Sequence, residues 1–593
     1  MRLLLTALLA ATALATTAVA LTPDQSAQPA ANPAETAFAA VAGKYIEGIA
    51  RLSPTYATVL GNHAYDNQLP NISADGRMQQ AQFDREMLAA LGKIDRAKLT
   101  PDSQVDAALL DNALKYDLWQ LETLQSWAWD TTIYNDIAGG SLYGLAARDF
   151  APWPQRLKAA TARMEKLPEL LAETRRQLVP SRVPDVYAQT LQRQNAGLAE
   201  IAQDMLAPHK SELTPADQAR FDAALAGLRT AVTEHQKWID GTLIPAAHGD
   251  FRLGAARYDE KMRFALLSDM TRGELKAKAT QAVKDIRNEM YVLSRQVLGT
   301  SPDRPDAPTA AQQQAAIEAA LAKSYAQRPA RTELMASTNA ALAQATDFVR
   351  SKGLVTMPDA PVKVIVMPKF QQGFSVAYDD APGALERNLD NFFAVSPIPD
   401  EWSDAQATSF LNEYNNYMIQ DLAIHEAMPG HYLQLAHSNE NPSTLRAVLG
   451  SGPFVEGWAV YAEGMMADAG YMGGDPLFKM TVLKMRLRSV TNTLLDIGIQ
   501  TEGMTRDQAM ELMTRGAFQQ EREAAGKWVR ANLSSTQLLS YFTGYAEHMA
   551  LRDEARKRQG AAFDLKAYND AVLSHGSPPV KYARALMFGL PIQ

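Results

Sequence analysis

From Glu35 to about residue 298, apolar residues recur at three- and four-residue intervals between polar stretches. This is the period of helices that bury one face, so the pattern predicts a run of amphipathic helices. Start signals punctuate it. Thr100-Pro101-Asp102, Thr214-Pro215-Ala216-Asp217 and Thr271-Arg272-Gly273-Glu274 each place a capping hydroxyl before a helical stretch, and the last adds the glutamate of a capping box. Ser301-Pro302-Asp303-Arg304-Pro305 breaks the run, and a helix is expected again through Ala310–Lys352. The pattern then changes. Val362–Pro368 alternates and is β-branched, and Gly373–Tyr378 and Asn391–Val395 read as two further strands. Helix dominates again after residue 405. The fold class is therefore mainly α, with a small β-sheet. Its two regions, 35–298 and 299–593, are expected to form one continuous body with a deep cleft between helical halves.

Composition adds a destination. Arg2, the apolar stretch Leu3–Ala15 and Ala18-Val19-Ala20 have the form of a secretory signal cleaved after Ala20. The apolar part is too short to span a bilayer comfortably. Residues 21–34 read as a disordered Pro/Ala linker. Cleavage leaves 573 of the 593 residues and, with Arg2 gone, takes the formal net charge from −8 to −9. No long basic run stands out, so nucleic acid is not an expected partner. The chain contains no cysteine. That excludes a disulfide framework, a lipid attached to this sequence and a cysteine nucleophile. It also lacks the serine elbow of many hydrolases. The expected location is the periplasm or the medium, without a stable membrane anchor after cleavage; oligomeric state is left open.

The chemistry sits in His425-Glu426-Ala427-Met428-Pro429-Gly430-His431, followed by Glu456 in Glu456-Gly457-Trp458-Ala459. Two imidazoles and a carboxylate make a ligand set for one zinc ion that keeps a position open for water. Glu426 would be the general base. The usual spacing of two such histidines is four, which puts both on one helix face. Six steps of about 100° turn the second about 120° away. Pro429 lacks the N–H for residue 425, and Gly430 has no Cβ, so Pro-Gly reads as an excursion that returns His431 to the metal. The alternative is a helix ended by Pro-Gly, with His431 in a loop. Glu456 and Glu463 share a helix face; Glu456 is assigned to the metal and Glu463 to orienting a ligand histidine. Phe454, Val455, Trp458, Val460 and Tyr461 predict that their helix is buried. His437 competes as third ligand, with a polar or core position as its other fate.

The sequences HEAMPGHYLQ and EGWAVYAE resemble the bacterial proteins grouped as domain of unknown function 885, placed with zincin peptidases of the gluzincin type. Leu60–Asp66, Phe251–Gly254 with Tyr258, Asp496-Ile497-Gly498, and Arg530, Gln537, Tyr541 and Gly544 are further landmarks of the resemblance, which covers roughly residues 35–590. It implies a large helical zincin-like metallopeptidase with the sheet beside the active-site helix. It also places Tyr541 near the metal as an oxyanion donor, with Tyr545 as competitor. Arg530 is open to a substrate carboxylate or a surface salt bridge, and His575 to a place in the cleft. Two departures stand out: Tyr432 and Gln500 occupy positions where many members carry histidine.

The function expected from these residues is hydrolysis of peptide bonds in oligopeptides, cell-wall peptides included, by metal-activated water, with the sheet edge holding the extended peptide. Alternatives are a zinc-dependent amidase or esterase, or a degenerate zincin that only binds peptides. The intact Glu426 argues against the last.

Overall fold

In the computed structural model, residues 32–367, 376–386 and 389–593 are described. The expected signal sequence and the linker up to residue 31 lie outside them. The rest of that linker is already helix. Asn32 accepts from the Ala34 N–H at 3.0 Å, and the first helix, Pro33–Leu52, starts two residues before Glu35.

The molecule is mainly helical, and the start signals work as read. Thr100, Thr214 and Thr271 cap the helices Pro101–Trp119, Pro215–Trp238 and Arg272–Leu298, the last with a reciprocal box to Glu274. Gly299 ends the third at φ 78. The single helix expected over Ala310–Lys352 is two, Ala310–Tyr325 and Leu334–Lys352. Pro329 explains the division, because a proline disfavours helical backbone at the residue before it. Among the described residues, no helix is long and apolar enough to cross a membrane.

Three strands form one sheet, β1 (Val362–Val366), β2 (Ala377–Asp380) and β3 (Asn391–Val395), in the order β1-β3-β2. β3 is central, parallel to β1 and antiparallel to β2. The second strand lies later than the pattern predicts, and residues 373–375 of that prediction fall outside the described part. Its register is set by pairing, Ala377 with Val395 through Asp380 with Phe392. This draws two aspartates into a strand that hydropathy alone would end at Tyr378.

Two close backbone approaches fix the helices that carry the candidate site. The helix Gly452–Asp468 is buried over most of its surface, with Phe454, Trp458, Val460 and Tyr461 at most 1% exposed, while Val455, expected to be buried, and Glu456 are half-buried and line the cleft. It packs on the helix Ser540–Gln559, where a Cβ on Gly544 would lie 1.7 Å from the Pro453 carbonyl oxygen and one on Gly457 2.3 Å from the Gly544 carbonyl carbon. Only glycine permits this approach. The long helix Pro476–Glu502 lies alongside Arg272–Leu298, sharing a core of Leu275, Ile286 and Met290 with Leu483, Leu487 and Val490.

Candidate metal centre

Asn415 caps the helix Asn416–Glu426, which brings His425 and Glu426 to its end. The helix stops there. Ala427 leaves helical angles (φ −127, ψ −74), the Met428–Pro429 peptide is cis, and a new helix, His431–Glu440, begins with the second histidine. Pro-Gly therefore ends one helix and also delivers His431 to the site. Gly430 serves by close approach: a Cβ there would meet the carbonyl oxygens of His425 at 1.9 Å and Ile424 at 2.3 Å. The buried Trp458 indole N–H donates to the Pro429 carbonyl at 2.9 Å and ties this turn to the carboxylate helix.

The three proposed ligand side chains converge. Glu456 Oε2 lies 3.5 Å from His431 Nε2 and 3.9 Å from His425 Nε2, and one ligand atom from each residue falls within 4.8 Å of the others. A tetrahedral zinc with bonds of about 2.0–2.1 Å sets its ligand atoms about 3.4 Å apart. Glu463, 1% exposed, meets His425 Nδ1 at 2.6 Å, leaving Nε2 for the metal. The electrostatics ask for a cation. Burial works against charge on His431, yet the bonded Glu456 carboxylate holds its pKa at about 9. Burial lowers His425, helped by His431. Burial also opposes charge on Glu456, but His431, then His425 and Arg530, keep it below the usual carboxylate range. A proton on His431 thus does the neutralising that a metal ion would do. The donor set and the spacing fit zinc.

Glu426, 9% exposed, faces the same space. Burial pushes its carboxyl up, against the pull of His425 and His431, and the Asp379 backbone N–H bonds towards it. That N–H belongs to β2, so the edge strand reaches the base. Val376 to Asp379 line the cleft, as expected of the sheet edge. Sequence reasoning passed over two buried acids. Both carboxylate oxygens of Asp379 and of Asp421 lack a hydrogen-bond partner among the described residues. Burial drives both well above the carboxylate range, Asp421 further by its neighbour Glu463. The spacing of Asp421, one helical turn before His425, was the available signal.

The cleft, about 700 Å³, is lined between Val376 and Tyr541 among the described residues. All of this lining comes from the second region. Tyr541 lines it, and its hydroxyl accepts from Arg530 at 3.2 Å, which leaves the phenol hydrogen free to donate. Tyr545 is absent from the lining and stacks under Arg486. Arg530 makes no ion pair among the described residues; it bonds Gln537 and Tyr541 and faces the cleft, against the surface salt bridge. His437 is no ligand, since its Nε2 meets the Thr356 carbonyl at 2.8 Å. His575 is not in the lining; its carbonyl accepts from Arg446 at 3.1 Å. Lys527, one turn before Arg530 and also in the lining, was missed.

The outlying landmarks are structural. His63 meets Asp66 at 2.8 Å and Glu386 at 3.2 Å, joining the first region to the loop after β2. Tyr258 donates to Asp496 at 2.9 Å, and Gln500 bridges the Leu253 N–H and the Ser534 carbonyl. Tyr432 donates to the Ala360 carbonyl. Neither Tyr432 nor Gln500 lines the cleft.

Residues 54–587 match the family described as "Bacterial protein of unknown function (DUF885)". The chain belongs to this family. A "putative lipoprotein of unknown function" from Shewanella oneidensis is 34% identical with a TM-score of 0.78, covering 93% of this chain and 99% of its own. A "putative lipoprotein" from Colwellia psychrerythraea shares the fold at 16% identity and a TM-score of 0.76, covering 94% of this chain and 99% of its own. No curated protein matches the chain.

Proposed function

We propose that this member of the family is an exported, zinc-dependent peptidase of zincin type. The observation that carries the reading is the convergence of His425, His431 and Glu456, with Glu426 beside them and Glu463 behind His425. When bound, zinc would supply Lewis acidity to a water and to the scissile carbonyl. The chain's own residues do the rest. Glu426 takes the proton of the attacking water as its oxygen bonds to the carbonyl carbon. The same carboxyl then passes that proton to the amine nitrogen as the C–N bond breaks, so no proton is lost or gained. Tyr541 donates its free hydrogen to the oxyanion of the tetrahedral intermediate. The edge strand β2, which lines the cleft, would support an extended peptide by strand addition. The signal-like N-terminus and the descriptions of both relatives favour export to the periplasm or beyond.

A library of oligopeptides, with simple amides and esters for comparison, tests the reading. The expected result is cleavage of internal amide bonds between residues, lost on chelation and restored by zinc. Turnover of esters alone would move the chain to the esterase alternative, and binding without turnover to the degenerate one.

A further inference from the structure

A cationic part of the cleft lining comes from the helix Glu521–Asn532 and its neighbour Pro476–Glu502. Its charges are mostly matched. Lys484 meets Glu413 at 2.8 Å, and Arg488 is paired with Glu523, which also accepts from Tyr414 at 3.3 Å. Three cations of the lining have no acidic partner among the described residues: Arg522, which is exposed and stacks on Trp402, and the more enclosed Lys527 and Arg530. Lys527 is 6% exposed and makes no hydrogen bond or ion pair among the described residues, because Glu523, one turn away, is already engaged. Arg530, on the same helix face, bonds only the neutral Gln537 and Tyr541. Both line the cleft that holds Glu456.

We infer that Lys527 and Arg530 receive the free C-terminal carboxylate of a short peptide whose preceding bond lies at the metal centre. The inference rests on the peptidase reading above and sharpens it: the products are fragments released from a peptide's C-terminal end. A buried ammonium without a partner is costly, and a bound carboxylate removes that cost. Burial, and then Arg488 and Arg530, depress the Lys527 pKa, as expected of a site whose counter-ion arrives with the ligand. An ammonium and a guanidinium one helical turn apart, both in the lining of one cleft, suit a carboxylate. A carboxylate on a side chain has the same chemistry, and the third peptide form below separates the two sources.

The test uses one cleavable peptide in three forms: free acid, C-terminal amide, and amide with a glutamate as its last residue. Zinc-loaded protein is expected to favour the free acid over either amide by at least about 100-fold in kcat/KM, mostly through KM. Lys527→Met and Arg530→Met should each bring that ratio to within a few-fold of one. Circular dichroism and thermal melting check that they fold, and Lys527→Met should melt no lower than the parent, since it removes an unpaired buried charge. Binding of the same peptides to Glu426→Gln, read by calorimetry, is independent of turnover and should favour the free acid at least tenfold. Equal binding of acid and plain amide overturns the inference whether or not any peptide is cleaved. Equal preference for the glutamate amide overturns the C-terminal assignment. Cleavage that ignores the terminus leaves the peptidase reading standing and defeats this one.

Discussion

At the scale of single residues, Glu426 and Glu463 show how position divides two buried glutamates into different roles. Glu463 reaches His425 on Nδ1 and leaves Nε2, the nitrogen nearer Glu456, for a metal. Glu426 lies on the cleft side with its carboxyl raised by burial, as suits a group that must accept and return a proton. Glu426→Gln keeps the shape and removes the base. It is expected to retain zinc and lose about 10²–10⁴-fold in kcat, measured on the best peptide substrate; activity within a few-fold of the parent would remove Glu426 from the role. Spacing sufficed to group His425, Glu426, His431, Glu456 and Glu463, which lie close together in the fold, because side chains aimed at one point recur at particular intervals. It did not suffice for Asp379, Asp421 or Lys527. Asp421 carried one local signal, its place one turn before His425, whereas a lone acid or lysine such as Asp379 or Lys527 has none and acquires meaning only from its burial.

At the scale of elements, the helix starts and two of the strands were legible because caps and alternation are local. The joints were less so. The motif helix ends at Glu426, and the excursion works by joining two helices under a Trp458 clamp. β2 lies later than hydropathy indicates because its partner, β3, sets its bounds. The contact of Gly457 with Gly544 joins residues 87 positions apart in the sequence, so no local pattern could announce it. It holds the helix bearing Glu456 against the helix bearing Tyr541. A Cβ on Gly544 has backbone, not a flexible side chain, in its way. Gly544→Ala is therefore expected to lower stability by about 1–3 kcal/mol and to reduce activity more than folding alone explains. Denaturant melts and kinetics on the folded fraction check both. An unchanged midpoint with full activity would show that the helices can separate without harm.

At the scale of the whole molecule, the first region is tied to the second and, among the described residues, contributes nothing to the cleft lining. Arg446, 1% exposed, bonds Asp102 and Asp106 at 2.9 Å each and the His575 carbonyl at 3.1 Å, tying the helix Pro101–Trp119 to the C-terminal part. His63 with Glu386 and Tyr258 with Asp496 make two more such ties. Amphipathic periodicity gives each helix a buried face without saying which other helix covers it. That is why the helical class was legible, while which helices line the cleft was not. Whether a broken helix and its buried neighbour form a metal centre is decided by elemental analysis of the purified, unchelated protein beside His431→Ala. One zinc per chain is predicted in the parent, and loss of that zinc in the folded variant. A full zinc complement in His431→Ala, or a folded parent that cannot be loaded with zinc, would contradict the metal centre.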